Sequence, residues 1–262
     1  MIPPGFDTVE QQLLLWLVSM VRPGAAFLAA PVFGATAVPV QMRLVLALGV
    51  GIPAASVAGI TLPPAGLVSF SGILFLMGEV MLGLALGFAV QIGFASAQLG
   101  GEAISNAMGL GFASMNDPST GRSSAAISQL LSMLATFLFL ATGGHLVFCG
   151  IIVESFRSLP PGAAWLNADA VAGIVRFGGL VFASGLTIAL PVGFAMVIVQ
   201  IVLGVIARST PTLNLFAVGM PAALLAGIIL LAMATPAMAD SLMVAISAGL
   251  DKASDLAGIG HG

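Results

Sequence analysis

Six stretches of 20 residues or more carry no charged side chain: 23–42, 44–78, 80–101, 123–153, 177–207 and 209–239. One helix needs roughly 20 apolar residues to cross the ~30 Å hydrocarbon core of a bilayer, and inside that core every backbone polar group must be bonded within the protein. These runs therefore predict an all-α, polytopic membrane protein. Composition agrees: hydrophobic residues make up 59% and charged residues 6%, against about 25% charge in a soluble domain. Such a chain cannot cover itself with polar surface. The opening MIPPGFDTVEQQ holds two acids and no basic residue, unlike a secretory signal, so entry on the chain's own spans is expected.

The apolar runs place about six long, kinked helices, at roughly 11–32, 38–60, 67–98, 124–153, 171–207 and 213–247. Several exceed a simple span: residues 177–207 would rise ~46 Å as one helix. Tilt absorbs some of the excess, and kinks at Gly185, Pro191 and Gly193 would absorb more. The other way to absorb it is to set the rods against protein partners rather than lipid. The 33 glycines favour that. Gly83 and Gly87 form a GxxxG step, flanked by Gly78, Gly93, Ala85 and Ala89, and small residues let helix backbones approach closely where lipid tails solvate Leu well. The packing they serve lies within this chain or within a larger assembly.

Two ionisable residues sit deep in apolar sequence: Arg22, after LLLWLVSMV, and Glu79, in GILFLMGEVMLG. Charges there are costly and face protein or water. They read as a proton or ion relay, or as a structural ion pair with each other, or as end-of-helix residues that snorkel. Two isolated charges make a poor relay, so buried structural charges are expected. His145 and Cys149 are four apart but form an incomplete zinc site, and Cys149 is the only cysteine. No GxxxxGK[ST], HExxH or GxSxG occurs, so no enzyme, cofactor or metal is expected. The net charge of −3 arises from few charges and points to no nucleic acid. With the N-terminus outside, Arg43, Arg122 and Arg208 lie inside and Arg157 and Lys252 outside, too even a split to set orientation.

Two connectors stand out. GGEAISNAMGLGFASMNDPSTGRSS (100–124) is Gly-rich and apolar, with a turn at Asn116-Asp117-Pro118. Such a loop is expected to pack inside something, with Met108 and Met115 as an adaptable seal. The second, ESFRSLPPGAAWLNAD (154–169), breaks at Pro160-Pro161-Gly162 and carries Trp165 for a headgroup boundary. It divides a four-helix region (1–160) from a C-terminal helical hairpin (161–262), whose start Pro211 and Pro221 should bend. The tail DKASDLAGIGHG reads as short, polar and loose.

The runs MGLGFASMNDP (108–118) and SQLLSMLATFLFLATGGHLVFCGIIVESFRSLPPG (128–162) resemble the FliR family, inner-membrane components of the flagellar type III protein export gate with relatives in virulence secretion systems. The likeness extends to the Arg22 segment and to ARSTPTLNLFAVGMP (207–221). It implies a FliP-like four-helix part and a FliQ-like hairpin, typically one copy joining several FliP and FliQ subunits in a pore-containing complex raised from the bilayer plane. FlhB and FlhA associate with that complex, unfolded export substrates pass through it, and it sits in the bacterial inner membrane at the flagellar basal body. The resemblance also implies a pore plug near 109–121, carried here by Gly109, Gly111, Phe112, Met115, Asn116, Asp117, Pro118 and Gly121. The alternative is a self-contained secondary transporter or channel, served by Gly/Pro-broken helices and by Arg22 and Glu79. That class tends to show an internal repeat, and none is visible between the two halves.

Overall fold

In a computed structural model the described residues are 6–58, 60, 62–64, 66–110, 125–163, 168–209 and 218–259. Every element among them is helical: α1 (Phe6–Ala29), α2 (Val40–Ala58), α3 (Phe70–Ala107), α4 (Ala125–Ala141), α5 (Gly144–Ser158), α6 (Ala168–Gly178), α7 (Leu180–Ser209) and α8 (Met220–Leu256). Among the described residues, four rods are long and apolar enough to cross a membrane: Val9–Ala29, Phe70–Ala107, Asp169–Ser209 and Met220–Leu256. The bent pair α4–α5 is a fifth when its two helices are counted as one span. This is a membrane protein by its apolar helices. The apolar stretch of α2, Val40–Ser56, is shorter than these rods.

The breaks fall at glycines, only partly where expected. The run at 124–153 is two helices, bent by 66° around Gly143, whose φ of 75° is the left-handed conformation that glycine adopts without penalty. Pro191 lies inside an unbroken α7, and its rod is interrupted at Gly179 instead. Pro221 is the second residue of α8, where its missing N–H would have had no intrahelical partner, so it starts the helix rather than bending it. Pro211 and Trp165 lie outside the described residues.

The chain forms two compact units. One takes Met1–Ile92, Leu140–Gly178 and Ala248–Gly262; the other takes Gly93–Phe139 and Gly179–Ser247. In the first unit α1 packs against α2. Gly51 of α2 lies on the Ser19 backbone, and a Cβ on Gly24 would sit 3.7 Å from the Ala47 methyl. Phe27, Phe33 and Phe148 form an aromatic cluster with ring centroids 4.7–6.5 Å apart. The described part of the tail, Asp251 to Ile259, belongs to this unit and is not loose. Ala253 and Ala257 are fully buried, Ser158 Oγ donates to the Ala257 carbonyl, and Gly258 closes α8. With φ of 71°, its N–H reaches Asp255 O and the Ile259 N–H reaches Ser254 O (3.0 Å each), the Schellman arrangement that satisfies a helix's last carbonyls.

In the second unit, glycines bring backbones together. A Cβ on Gly100 would lie 3.0 Å from the Gly185 carbonyl oxygen, one on Gly93 would lie 2.6 Å from that of Ala245, and Gly101 lies against the Ser128 backbone. Phe94 and Phe139 meet edge to face at 5.5 Å.

Candidate functional site

A buried charged cluster is built from three elements of the first unit. Arg22 on α1 is 1% exposed, and Glu79 on α3 is 3% exposed. The guanidinium spends all five of its N–H donors. Nε donates to Glu79 Oε2 (2.9 Å), and Nη2 donates to Glu79 Oε1 (3.1 Å) and Leu159 O (2.9 Å). Nη1 donates to Ser155 O (2.7 Å) and Ser155 Oγ (3.0 Å). The Phe156 ring covers the guanidinium carbon, with its centroid 4.2 Å away. The fork on Glu79 is bidentate, the strongest geometry for this pair. The carbonyls of Ser155 and Leu159 lie at the C-terminus of α5, where the helix dipole favours a cation. Arg22 is thus both half of an ion pair and the cap of another helix.

Glu79 also holds the turn that follows α5. Its Oε1 accepts the Gly162 N–H (3.3 Å). Ala163 N–H bonds to Pro160 O (2.9 Å) across Pro161 and Gly162, whose φ is 88°; this is a type II pattern of proline followed by glycine. A Cβ on Gly162 would also fall 2.9 Å from the Phe75 ring.

The GxxxG step continues the same face of α3. Glu79, Gly83 and Gly87 recur every four residues and so lie one above another. Gly83 receives the Arg22 backbone carbonyl and Gly87 that of Ala26; Cβ atoms there would meet the methyls of Ala25 and Ala29 at 2.8 and 2.9 Å. Helix packing and buried charges, read separately along the chain, are one joint between α1 and α3. Ser155, Phe156 and Leu159 carried no signal in the sequence, whereas the Pro-Pro-Gly turn did.

The central connector begins later than the sequence implied. Gly100 to Ala107 are helical, part of α3, because Gly100 and Gly101 serve helix contacts rather than loosening the chain. Gly109 ends the helix at φ of 81°, with its N–H on Asn106 O and the Leu110 N–H on Ser105 O (3.0 Å each), a second Schellman cap. Met108 is 4% exposed, and a Cβ on Gly227 would lie 2.6 Å from its terminal methyl. It fills the space left by a glycine. Gly111, Phe112, Met115, Asn116, Asp117, Pro118 and Gly121 lie outside the described residues. Among the described residues no three His, Cys, Asp or Glu side chains are grouped to hold a metal ion.

Residues 13–248 match the family model described as bacterial export proteins, family 1. The flagellar biosynthetic protein FliR of Escherichia coli K12 is 32% identical over 238 residues, covering 89% of this chain and 90% of that protein. The chain belongs to the FliR family. Flagellar biosynthetic proteins FliR of Pectobacterium carotovorum (34% over 216 residues, 82% of each chain) and Caulobacter vibrioides (31% over 237 residues, 90% of this chain and 93% of the other) are similar too. The family model describes bacterial export proteins, and these relatives are named for flagellar biosynthesis. In this chain the Arg22–Glu79 joint ties α1, α3 and α5 together in one unit.

Proposed function

We propose that the chain is a core subunit of the flagellar type III protein export gate in the bacterial inner membrane, at the flagellar basal body. Residues 1–160 act as a FliP-like four-helix region and residues 161–262 as a FliQ-like hairpin. With FliP and FliQ subunits they surround a pore, beside FlhB and FlhA, through which unfolded export substrates pass. The segment 109–121, with Phe112, Met115, Asn116, Asp117 and Pro118 at its centre, is the plug that keeps the closed gate sealed. Energy for export comes from partners.

The observation that carries this reading is uncovered apolar surface on helices longer than a bilayer is thick. The 30 residues of α7 rise ~45 Å, and Phe182, Leu186 and Phe194 along it are 70, 60 and 68% exposed. Surface of that length and character calls for neighbouring subunits as well as lipid. Arg22 and Glu79 support the same reading from the other side: with every guanidinium donor bonded, the pair is a structural joint and not a relay.

Deletion of 110–120 is the test. The complex with FliP- and FliQ-type partners should still assemble, and cells or liposomes holding it should leak small solutes. An assembled complex that stays tight refutes the plug. A chain that is stable and transport-active alone in liposomes refutes the gate role in favour of a self-contained transporter.

A further inference from the structure

The exposed face of α3 changes character part-way along the helix. From Phe70 to Gln91 its exposed residues are Phe70, Ser71, Ile73, Leu74, Met77, Val80, Met81 and Phe88, apolar at all but one position. From Ile92 to Ala107 only three residues are exposed, and all are polar: Gln98, Glu102 and Asn106. They recur every four residues and form one stripe. Glu102 makes no ion pair among the described residues. The apolar portion, 22 residues long, already rises ~33 Å, about one hydrocarbon thickness.

The second compact unit shows what lies around this stripe. At the level of Gly100, α3 touches Gly185 and Ile188 of α7. Leu186 and Leu190, beside those two residues, are 60 and 51% exposed. Nearer the end of α3, Gln200 on α7 donates to Ala107 O (2.6 Å), while its neighbours Ile198 and Ile201 are half or more exposed. At one level, then, the unit presents a greasy surface on α7 and a polar, charged surface on α3. Ordinary bulk water along the whole rim would leave the α7 surface wet; lipid along the whole rim would leave Glu102 in hydrocarbon. A wall between an apolar jacket and a water-filled interior satisfies both faces.

We infer that the C-terminal portion of α3 lines an aqueous passage, with Gln98, Glu102 and Asn106 facing the water and the Glu102 carboxylate drawing cations into it. This rests on the export-gate reading and locates a wall of its pore in this chain. Asn106 is three residues before the start of the proposed plug at Gly109. A carboxylate in a narrow passage raises the local cation concentration and repels anions, so the passage should favour small cations whenever the plug is open.

The test uses the assembled complex, with Cys149→Ala to remove the native thiol. Single cysteines replace Gln98, Glu102, Asn106 and, as a control, Leu186, and are exposed to charged, membrane-impermeant thiosulfonates. The first three should react and Leu186→Cys should not. In planar bilayers, the complex lacking 110–120 should carry a cation-preferring current. That preference should be lost in Glu102→Gln, and the current should fall when a cationic thiosulfonate modifies Glu102→Cys. Absence of reaction at all three positions would overturn the inference by showing the stripe buried against protein. Reaction with an unchanged current would overturn it by placing the stripe in outside water. A plug-deleted complex that carries no current defeats the gate reading itself, an outcome distinct from a current that ignores position 102.

Discussion

Removing Glu79 should cost the fold more than any other single change on α3, and the size of the loss follows from what Arg22 would be left with. In Glu79→Met the guanidinium keeps three of its five hydrogen bonds, those to Ser155 O, Ser155 Oγ and Leu159 O, but its charge is uncompensated at 1% exposure. Breaking a buried pair from one side costs about 3–5 kcal/mol. At about 2–4 °C per kcal/mol for a chain of this size, the melting midpoint should fall by roughly 6–20 °C. Arg22→Met strands the Glu79 carboxylate, leaving only Gly162 N–H on it, and uncaps α5, so its loss should be at least as large. The double variant Arg22→Met/Glu79→Met removes both charges and fills the space with thioethers. It should be more stable than the sum of the two singles by roughly 2–3 kcal/mol, near the upper range for residues in contact. A thermal melt of the detergent-solubilised complex, followed with a thiol-reactive dye, measures all four proteins. Strictly additive losses would refute the coupling. The charge-swapped protein, Arg22→Glu/Glu79→Arg, should recover little, because a carboxylate at position 22 would face the carbonyl end of α5, where the dipole repels it.

Other consequences are more local. Gly83→Val or Gly87→Val should wedge α1 from α3 and cost about 1–3 kcal/mol or more by overpacking, seen as a lower melting midpoint; a neutral result would mean that the backbones do not meet. Gly143→Ala, with open space around the new methyl but a φ of 75°, should cost about 1 kcal/mol purely through backbone strain. Ending the chain after Asp251 should destabilise the protein, since it removes buried Ala253 and Ala257 and the Ser158–Ala257 hydrogen bond; a midpoint equal to that of the intact chain would make the tail dispensable. Gly227→Ala should cost about 1–3 kcal/mol by overpacking, because its new methyl would meet Met108 Cγ at 2.7 Å as well as the terminal methyl at 2.6 Å on a buried side chain; an unchanged melting midpoint would mean that Met108 can turn away freely.

The charge-free runs alone determined that this chain is helical and lives in a membrane, because unpaired backbone in hydrocarbon leaves little choice, and the central runs were sufficient to place the family. Glycine spacing likewise announced close helix contacts at Gly83 and Gly87. Which carbonyl each glycine would receive was not legible, since periodicity names a face and never its partner. The same limit hid Ser155 and Leu159, which reach Arg22 across more than 130 residues of chain. Helix ends were misplaced where a glycine had two physical meanings: Gly100 and Gly101 look like loop residues in sequence but are helix-contact residues, while Gly109, Gly143 and Gly258 do end or break helices. Only the packed structure chooses between these meanings, because a missing side chain is cheap both for a left-handed backbone and for a neighbour at van der Waals distance. The same holds for the tail, polar to the eye and yet packed through Ala253, Ser254 and Ala257, and for the face of α3 whose exposed residues change from apolar to polar. Exposure belongs to the assembled helices and not to any single stretch of sequence.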